Sequence, residues 1–361
     1  MNISHQICYK LLYVVFVIIG LLSCSRGVIE PDVPGDSLGG NIPLEFTTYV
    51  DAVKSNALIN NTEDLQSYSI SLFANTAVQE ATYDVFTNDR LDYSTADGVW
   101  SYGAAKYWIH GARYSFAAFA PYVSTNGSSA GVGKTLSNGT ASLTSSEGIQ
   151  SLIITDYNTG RFTQGNSVID ARSEDLLAAH YVRDNTHLDD YSAVPLNFTH
   201  ILSCVTFSIR NTTNNDITKV SNISLSGVKY EADVTLTSSS VSVVADSKTG
   251  SMTSEDRTPE TGKTAFLPKG MSEADYKPLF DCEILTHLPQ LLYGNEVKLT
   301  FKVHNTANDL SGTDYTLNLG NIESVREWKQ GKKYNYTISI TSTDILFQVV
   351  EVPWIEHDVE L

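Results

Sequence analysis

The sequence predicts an all-β protein arranged as two tandem β-sandwiches, and three observations lead there. Short runs of alternating apolar and polar residues recur along the chain, separated by Gly, Asp and Asn turns, with no sustained helical period. Ser, Thr, Asn, Gly and Tyr are plentiful while Met is scarce, a balance that favours strands and turns over helices. Two stretches in opposite halves spell nearly the same phrase: "NIPLEFTTYV" from Asn41 to Val50 and "AVPLNFTHIL" from Ala193 to Leu202. That repetition suggests two related units, each begun by a similar strand. A length of 361 residues exceeds one ordinary domain and suits two.

The elements follow in chain order. Lys10 ends a short polar region, and "LLYVVFVIIGLL" (Leu11 to Leu22) is a twelve-residue apolar run. It is too short for a bilayer span, which needs about 20 residues, but it suits the core of a signal peptide. The run closes with Leu21-Leu22-Ser23-Cys24, which resembles a bacterial lipobox. Residues 1–23 are therefore expected to be a lipoprotein signal peptide, with Cys24 acylated and becoming the new N-terminus. Each acyl CH₂ buried in lipid contributes about 0.8 kcal/mol, so several chains anchor a protein firmly. Residues 24–40 are rich in Pro and Gly and read as a flexible tether.

An N-terminal sandwich is expected over 41–190 and a C-terminal one over 191–361. Ile42, Leu44 and Phe46 alternate with polar residues as on a half-buried strand, and Pro43 favours a sheet edge. "LQSYSISLFA", "ATYDVFTNDRLDYS" and the aromatic stretch from Gly98 to Tyr122 supply further strands. The Ser/Gly/Thr-rich segment 124–148 reads as a loop, "SLIITDY" as a strand, and "SEDLLAAHYV" as the end of the first half with a short helical turn. "VPLNFTHILSCVTFSIRN" opens the second half; its inward parity switches between Leu202 and Val205, which requires a bulge or bend there. Further strands are expected in "VSNISLSGVKYEADVTL", "TAFLPKG", "EVKLTFKVHN", "TDYTLNLG" and "KYNYTISIT", the last with Tyr334, Tyr336, Ile338 and Ile340 on one face.

Charge and motifs exclude several functions. The formal net charge of -17 disfavours binding to phosphate backbones, so no nucleic-acid partner is expected. "GVGKT" (Gly131 to Thr135) lacks the first Gly of a phosphate-binding loop, because position 128 is Ser, and it has neither the preceding strand nor the following helix. "GSSAG" (Gly127 to Gly131) fits a Ser-nucleophile pattern at Ser129, but in a Ser/Gly-rich loop and not a strand-to-helix turn. The eight His residues form neither H-x-H nor HExxH, and His200 is expected at a core edge, hydrogen-bonded to backbone. No metal, cofactor or catalytic set is nominated. Cys204 and Cys282 leave a disulfide open, since export permits one. The aromatic residues between Trp100 and Tyr122 are expected to fill a core; glycan stacking on Trp100 and Trp108 is the alternative.

Several landmarks in order resemble the fimbrillin family, the subunits of type V pili. They are "GVWSYGAAKYWIHGARYSFAAFAP", "EDLLAA" followed by "VPLNFTHILSCVTFSI", "TAFLPKG" with Lys269 in place of the family's Gln, and "EWKQGKKYNYTISI" with "VPW" near the C-terminus. The resemblance implies two transthyretin-like sandwich domains, no enzyme activity, and export as an outer-membrane lipoprotein. It also implies fimbrial subunits as partners and a surface receptor for adhesion. In polymerising relatives a protease cuts after a basic residue following the first strand, and a neighbour's strand fills the groove. Here the segment after Val50 holds no Arg before Leu65; its one basic residue is Lys54. Either Lys54 is cut, or the subunit keeps its strand and lipid, as suits an anchor or accessory subunit.

Overall fold

The structure is a computed structural model that describes residues 42–50, 59, 61–78, 81–125, 133–137, 139–146, 149–159, 161–164, 167–170, 175–187, 189–237, 239–280, 285–294, 296–306 and 311–354. Strands dominate it, and its one α-helix among the described residues is the single turn Thr62–Leu65, capped by Asn61. The all-β expectation holds.

A seven-stranded sheet runs in the order Phe46–Val50, Val194–His200, Leu177–Asp184, Arg113–Ala120, Ile70–Val78, Ala81–Ser94, Val99–Ser101. The first pair is parallel and the rest are antiparallel. Alternate residues of its central strands serve different cores. Leu72, Phe116, Ala118 and Leu177 enter one cluster with Leu44, Phe46 and Phe86. Phe73, Ala117, Phe119 and Ala178 enter another on the opposite face. Burial on both faces explains why these strands read as continuous apolar runs. It also corrects the helical turn expected in "SEDLLAAHYV". Its Leu and Ala residues favour helix in isolation, but Leu177–Asp184 lies between two strands and hydrogen-bonds to both.

The second large core lies between two further sheets. One holds Lys277–Pro278, Ser203–Asn211, Lys332–Ile340 and Ile345–Pro353, with Leu285–His287 also paired to Ser203–Asn211. The other holds Thr313–Asn318, Lys298–His304, Lys219–Lys229, Thr249–Thr253, Arg161–Gln164 and Ser167–Asp170. Tyr334, Tyr336, Ile338 and Ile340 all point inward, at 0–3% exposure, as their alternation requires. The "TAFLPKG" segment differs from expectation: it makes an isolated bridge, Ile217 to Leu267, and no strand.

Three sheets draw strands from both sides of residue 190: the seven-stranded sheet takes in Val194–His200, and two others mix the halves. Thr140–Ser146, inside the segment expected to be a loop, pairs with Ile149–Asn158, which pairs with Glu231–Thr237. Thr249–Thr253 accepts Arg161–Gln164 at its edge. The four-stranded sheet so formed packs Leu152, Ile154, Val234 and Leu236 against the back of the seven-stranded sheet. Residues 140–170 thereby link the two large cores.

The parity switch has a clear cause. Val194–His200 belongs to the seven-stranded sheet and not to the second core, whereas Ser203–Asn211 opens the second. Ile201 and Leu202 form the bend between them, held by Ile201 N–H to Leu176 O (2.9 Å) and Gly331 N–H to Leu202 O (2.9 Å).

His287 is fully buried and stacks on Trp328, with ring centroids 5.0 Å apart. Burial pushes its pKa down to about 3 from an ordinary 6.5, because a charged imidazolium loses its hydration there. Between those values the unfolded chain binds a proton that the folded chain does not, so stability is full above about pH 6.5 and falls as the solution is acidified. We expect His287 to contribute a loss of roughly 2 kcal/mol between pH 6.5 and 5, at about 1.4 kcal/mol per pH unit. Urea unfolding of His287→Phe at the two pH values should show that part of the slope gone; an unchanged slope would refute the assignment.

Candidate functional site

The first strand is held on two flanks, unlike an ordinary edge strand. Its backbone pairs in parallel with Val194–His200, from Phe46 against Val194 to Val50 against Phe198. The two copies of the repeated phrase therefore lie side by side, slipped by four residues relative to their sequence match. On the other flank, residues 42–44 meet the segment 106–108. Leu44 N–H donates to Lys106 O at 2.8 Å and Trp108 N–H to Ile42 O at 3.0 Å. Trp100 Nε1–H, from the far edge strand of the same sheet, donates to Thr48 Oγ1 at 3.0 Å. The seven-stranded sheet thus curls until its two edges approach, and the first strand occupies the seam.

Side chains fix the strand from within. Leu44, Phe46 and Val50 are buried, at 1%, 5% and 2% exposure, whereas Ile42, expected on the same face, is exposed. Phe46 sits edge-on to Phe86, Tyr102 and Phe116 at 5.7–5.9 Å, the geometry that aromatic quadrupoles favour. The Tyr102 hydroxyl donates to Leu44 O at 2.8 Å; burial pushes its pKa up, so it remains a donor. Val50 N–H donates to the Thr62 hydroxyl at 3.1 Å, tying the end of the strand to the helical turn. Beyond Val50 opens a cleft of about 220 Å³, bordered also by Phe198, His200, Gln330 and Trp354.

His200 is buried as expected, but its partner is a side-chain carboxylate and not the backbone. Its Nδ1 lies 3.0 Å from an Asp175 carboxylate oxygen, and its ring stacks on Trp354 at 4.1 Å. Asp175 and Trp354 are partners that no local signal reveals. Trp108 is 1% exposed and Trp100 9%. Trp108 packs against Tyr114 at 4.9 Å, with the Arg183 guanidinium 5.1 Å above its ring. These rings fill the core and leave no open face for a sugar.

The described part of "GVGKT" is a structural staple. Lys134 N–H donates to Ser67 O, Ser69 N–H to Lys134 O, and Arg90 Nη2 to Gly133 O, all at 2.9 Å. Ser129, Cys282, Lys54 and the lipobox residues Leu21, Leu22, Ser23 and Cys24 lie outside the described residues; Cys204 is buried. Among the described residues no group of three or more His, Cys, Asp or Glu is placed to hold a metal. No helix among them is long and apolar enough to cross a membrane.

Stacked sheets, with a first strand set into a seam between two flanks, define a multi-sheet β-sandwich protein. The chain is a member of the fimbrillin-like family, whose sequence model matches residues 56–354. Among solved structures, a fimbrial protein from Bacteroides vulgatus aligns over 86% of this chain and 99% of its own, at 14% identity and a TM-score of 0.54; it shares the fold. Two proteins described as putative cell adhesion proteins also align. The one from Bacteroides ovatus covers 88% of this chain and 99% of its own at 15% identity and TM-score 0.48. That from Bacteroides uniformis covers 86% and 99% at 16% and 0.46. No protein of curated function matches the sequence.

Proposed function

We propose that the chain is a non-enzymatic fimbrial subunit of the bacterial surface, assembled with other subunits by β-strand exchange and supporting adhesion. The observation that carries this reading is the position of the first strand. It fills a seam between two flanks, and it lies outside the family match, which begins at residue 56. Release of that strand would leave the Val194–His200 edge without its hydrogen-bonding partner and expose the aromatic pocket around Phe46. A strand from a second subunit repairs both losses at once.

In this reading Ile42, Leu44 and Phe46 belong to the exchangeable element, and a cut at Lys54, in a subunit that is processed, would release it. Acylated Cys24 holds the unprocessed subunit at the outer membrane, and the chain works as two transthyretin-like sandwiches after the 24–40 tether, the first completed by Val194–His200 from beyond the expected boundary at residue 190. The absence of Arg between Val50 and Leu65 favours a subunit that keeps its strand and lipid, an anchor or accessory one. No cofactor takes part, and the receptor for adhesion lies on a host or bacterial surface.

Mass spectrometry of the mature surface protein tests this. An acylated Cys24 supports the anchor role, and a start at Ser55 supports a processed, polymerising subunit. A soluble, unlipidated protein starting elsewhere contradicts both. The Cys24→Ala variant should fail to reach the membrane; normal localisation would overturn the lipoprotein part.

A further inference from the structure

At the end of the second core farthest from the Ile201–Leu202 bend, three turns and one strand surround a cleft of about 300 Å³. Ser203–Asn211 and Lys332–Ile340 run parallel away from the bend, and the cleft opens where they stop, beside Asn211 and Ile340. Nine residues of strand span roughly 30 Å, so this pole is remote from the seam that holds the first strand.

The lining has a definite chemistry. Ile217, Val303 and Ile340 form an apolar floor, buried at 1–3% exposure. Around it stand the side-chain amides of Asn214, Asn215 and Asn305, each exposed, together with the hydroxyls of Thr313 and Ser342. Among the described residues these three amides make no hydrogen bond within the protein. The Asn215 backbone is fixed: Asn211 Nδ2 donates to Asn215 O at 2.8 Å, and Thr213 Oγ1 to the same oxygen at 2.9 Å. Tyr315 contributes an aromatic wall, half-buried and stacked on Phe301 at 5.5 Å. Among the described residues that line it there is no Asp, Glu, Lys, Arg or His, in a chain with 41 acidic and 24 basic side chains.

Each amide offers a donor and an acceptor, and each hydroxyl offers both. An apolar floor with a few convergent polar groups is the usual form of a small-molecule site. Paired donors and acceptors match adjacent sugar hydroxyls, and the Tyr315 ring matches the C–H face of a pyranose. The described lining is neutral and gives no charge to hold an anion or a cation. We propose that this cleft is a binding subsite for an uncharged saccharide, one to two sugar units in size. It is separate from the strand-exchange edge and does not depend on it.

The test is saturation-transfer NMR and isothermal calorimetry on the folded chain, using glucose, galactose, mannose, N-acetylglucosamine and their neutral disaccharides as probes. At least one of these should bind, with an affinity unchanged between about 50 and 500 mM NaCl, since no charge pairing contributes. Asn305→Ala and Asn214→Ala, both at exposed positions, should each weaken binding about tenfold, as expected for a lost hydrogen bond of about 1.4 kcal/mol. Tyr315→Leu should abolish it; Tyr315→Phe keeps the ring and should retain binding if stacking is its role. Unfolding curves accompany each variant, so a folding defect is not read as lost binding. Failure of every neutral sugar to bind, or binding untouched by Asn305→Ala and Asn214→Ala together, would overturn the proposal.

Discussion

Replacing Gly227 by alanine is expected to cost about 3 to 4 kcal/mol of stability, combining a left-handed backbone penalty with overpacking. Gly227 has φ +74 and lies at the register shift between Ser226 and Val228 in the Lys219–Lys229 strand. A Cβ there would fall 2.3 Å from the Glu296 carbonyl oxygen and 3.3 Å from Val297 Cα. Both neighbours are backbone, so no side chain can swing aside, and the strand Lys298–His304 that follows would have to move. Gly262 provides the matched control: its φ is +84, and a Cβ added there meets no atom within 4 Å. Gly262→Ala should cost about 1 kcal/mol, the conformational part alone. Denaturant midpoints for the two variants separate the contributions; equal losses would show that the bulge has room.

Trp108→Ala is expected to cost about 4 kcal/mol, in the range for emptying a large aromatic from a core. The ring is 1% exposed and contacts Tyr114, Phe116, Tyr191 and Arg183. Removing it opens a cavity beside the segment that flanks the first strand, since Trp108 N–H also holds Ile42 O. Among the described residues its indole N–H makes no hydrogen bond, so Trp108→Phe sacrifices volume alone and should cost about 1 to 2 kcal/mol. Chemical unfolding of both variants checks the ordering. A stable, folded Trp108→Ala protein would contradict the core role and reopen glycan stacking at this ring.

What is legible in the sequence follows from the range of the interactions involved. Alternation at Tyr334, Tyr336, Ile338 and Ile340 is a local property and survives into the structure; "ATYDVFTNDRLDYS" reads locally as short strands joined by turns, yet it forms one strand of 14 residues, Ala81–Ser94. The parity switch after Leu202 is also local, and the bend lies at Ile201 and Leu202, just before the expected place. The parallel pairing of the two repeated phrases is not: a strand's neighbour and register depend on contacts distant in sequence. The same holds for Thr140–Ser146, whose Ser and Thr residues resemble a loop until Ile149–Asn158 and Glu231–Thr237 supply the sheet.

The site divides in the same way. Leu44 and Phe46 are readable from alternation alone as inward residues of an edge strand. Ile42 departs from that face because it precedes the ladder, where Pro43 bridges to Tyr107. The Trp100–Thr48 bond across the seam and the Asp175–His200–Trp354 stack join residues far apart in the chain, and no spacing rule brings such residues together. The polar cleft near Asn305 is assembled from separated segments and leaves no local signature for the same reason.

Self-assembly after release of the first strand tests its role as an exchangeable plug most directly. The purified chain should be cleaved after Lys54, or expressed from Ser55, and compared with the intact chain by mass photometry. An exchangeable plug predicts a ladder of oligomers from the shortened chain, suppressed by excess peptide spanning residues 41–54, and a monomer from the intact one. A shortened chain that stays folded and monomeric, or an intact chain that polymerises equally well, would contradict it.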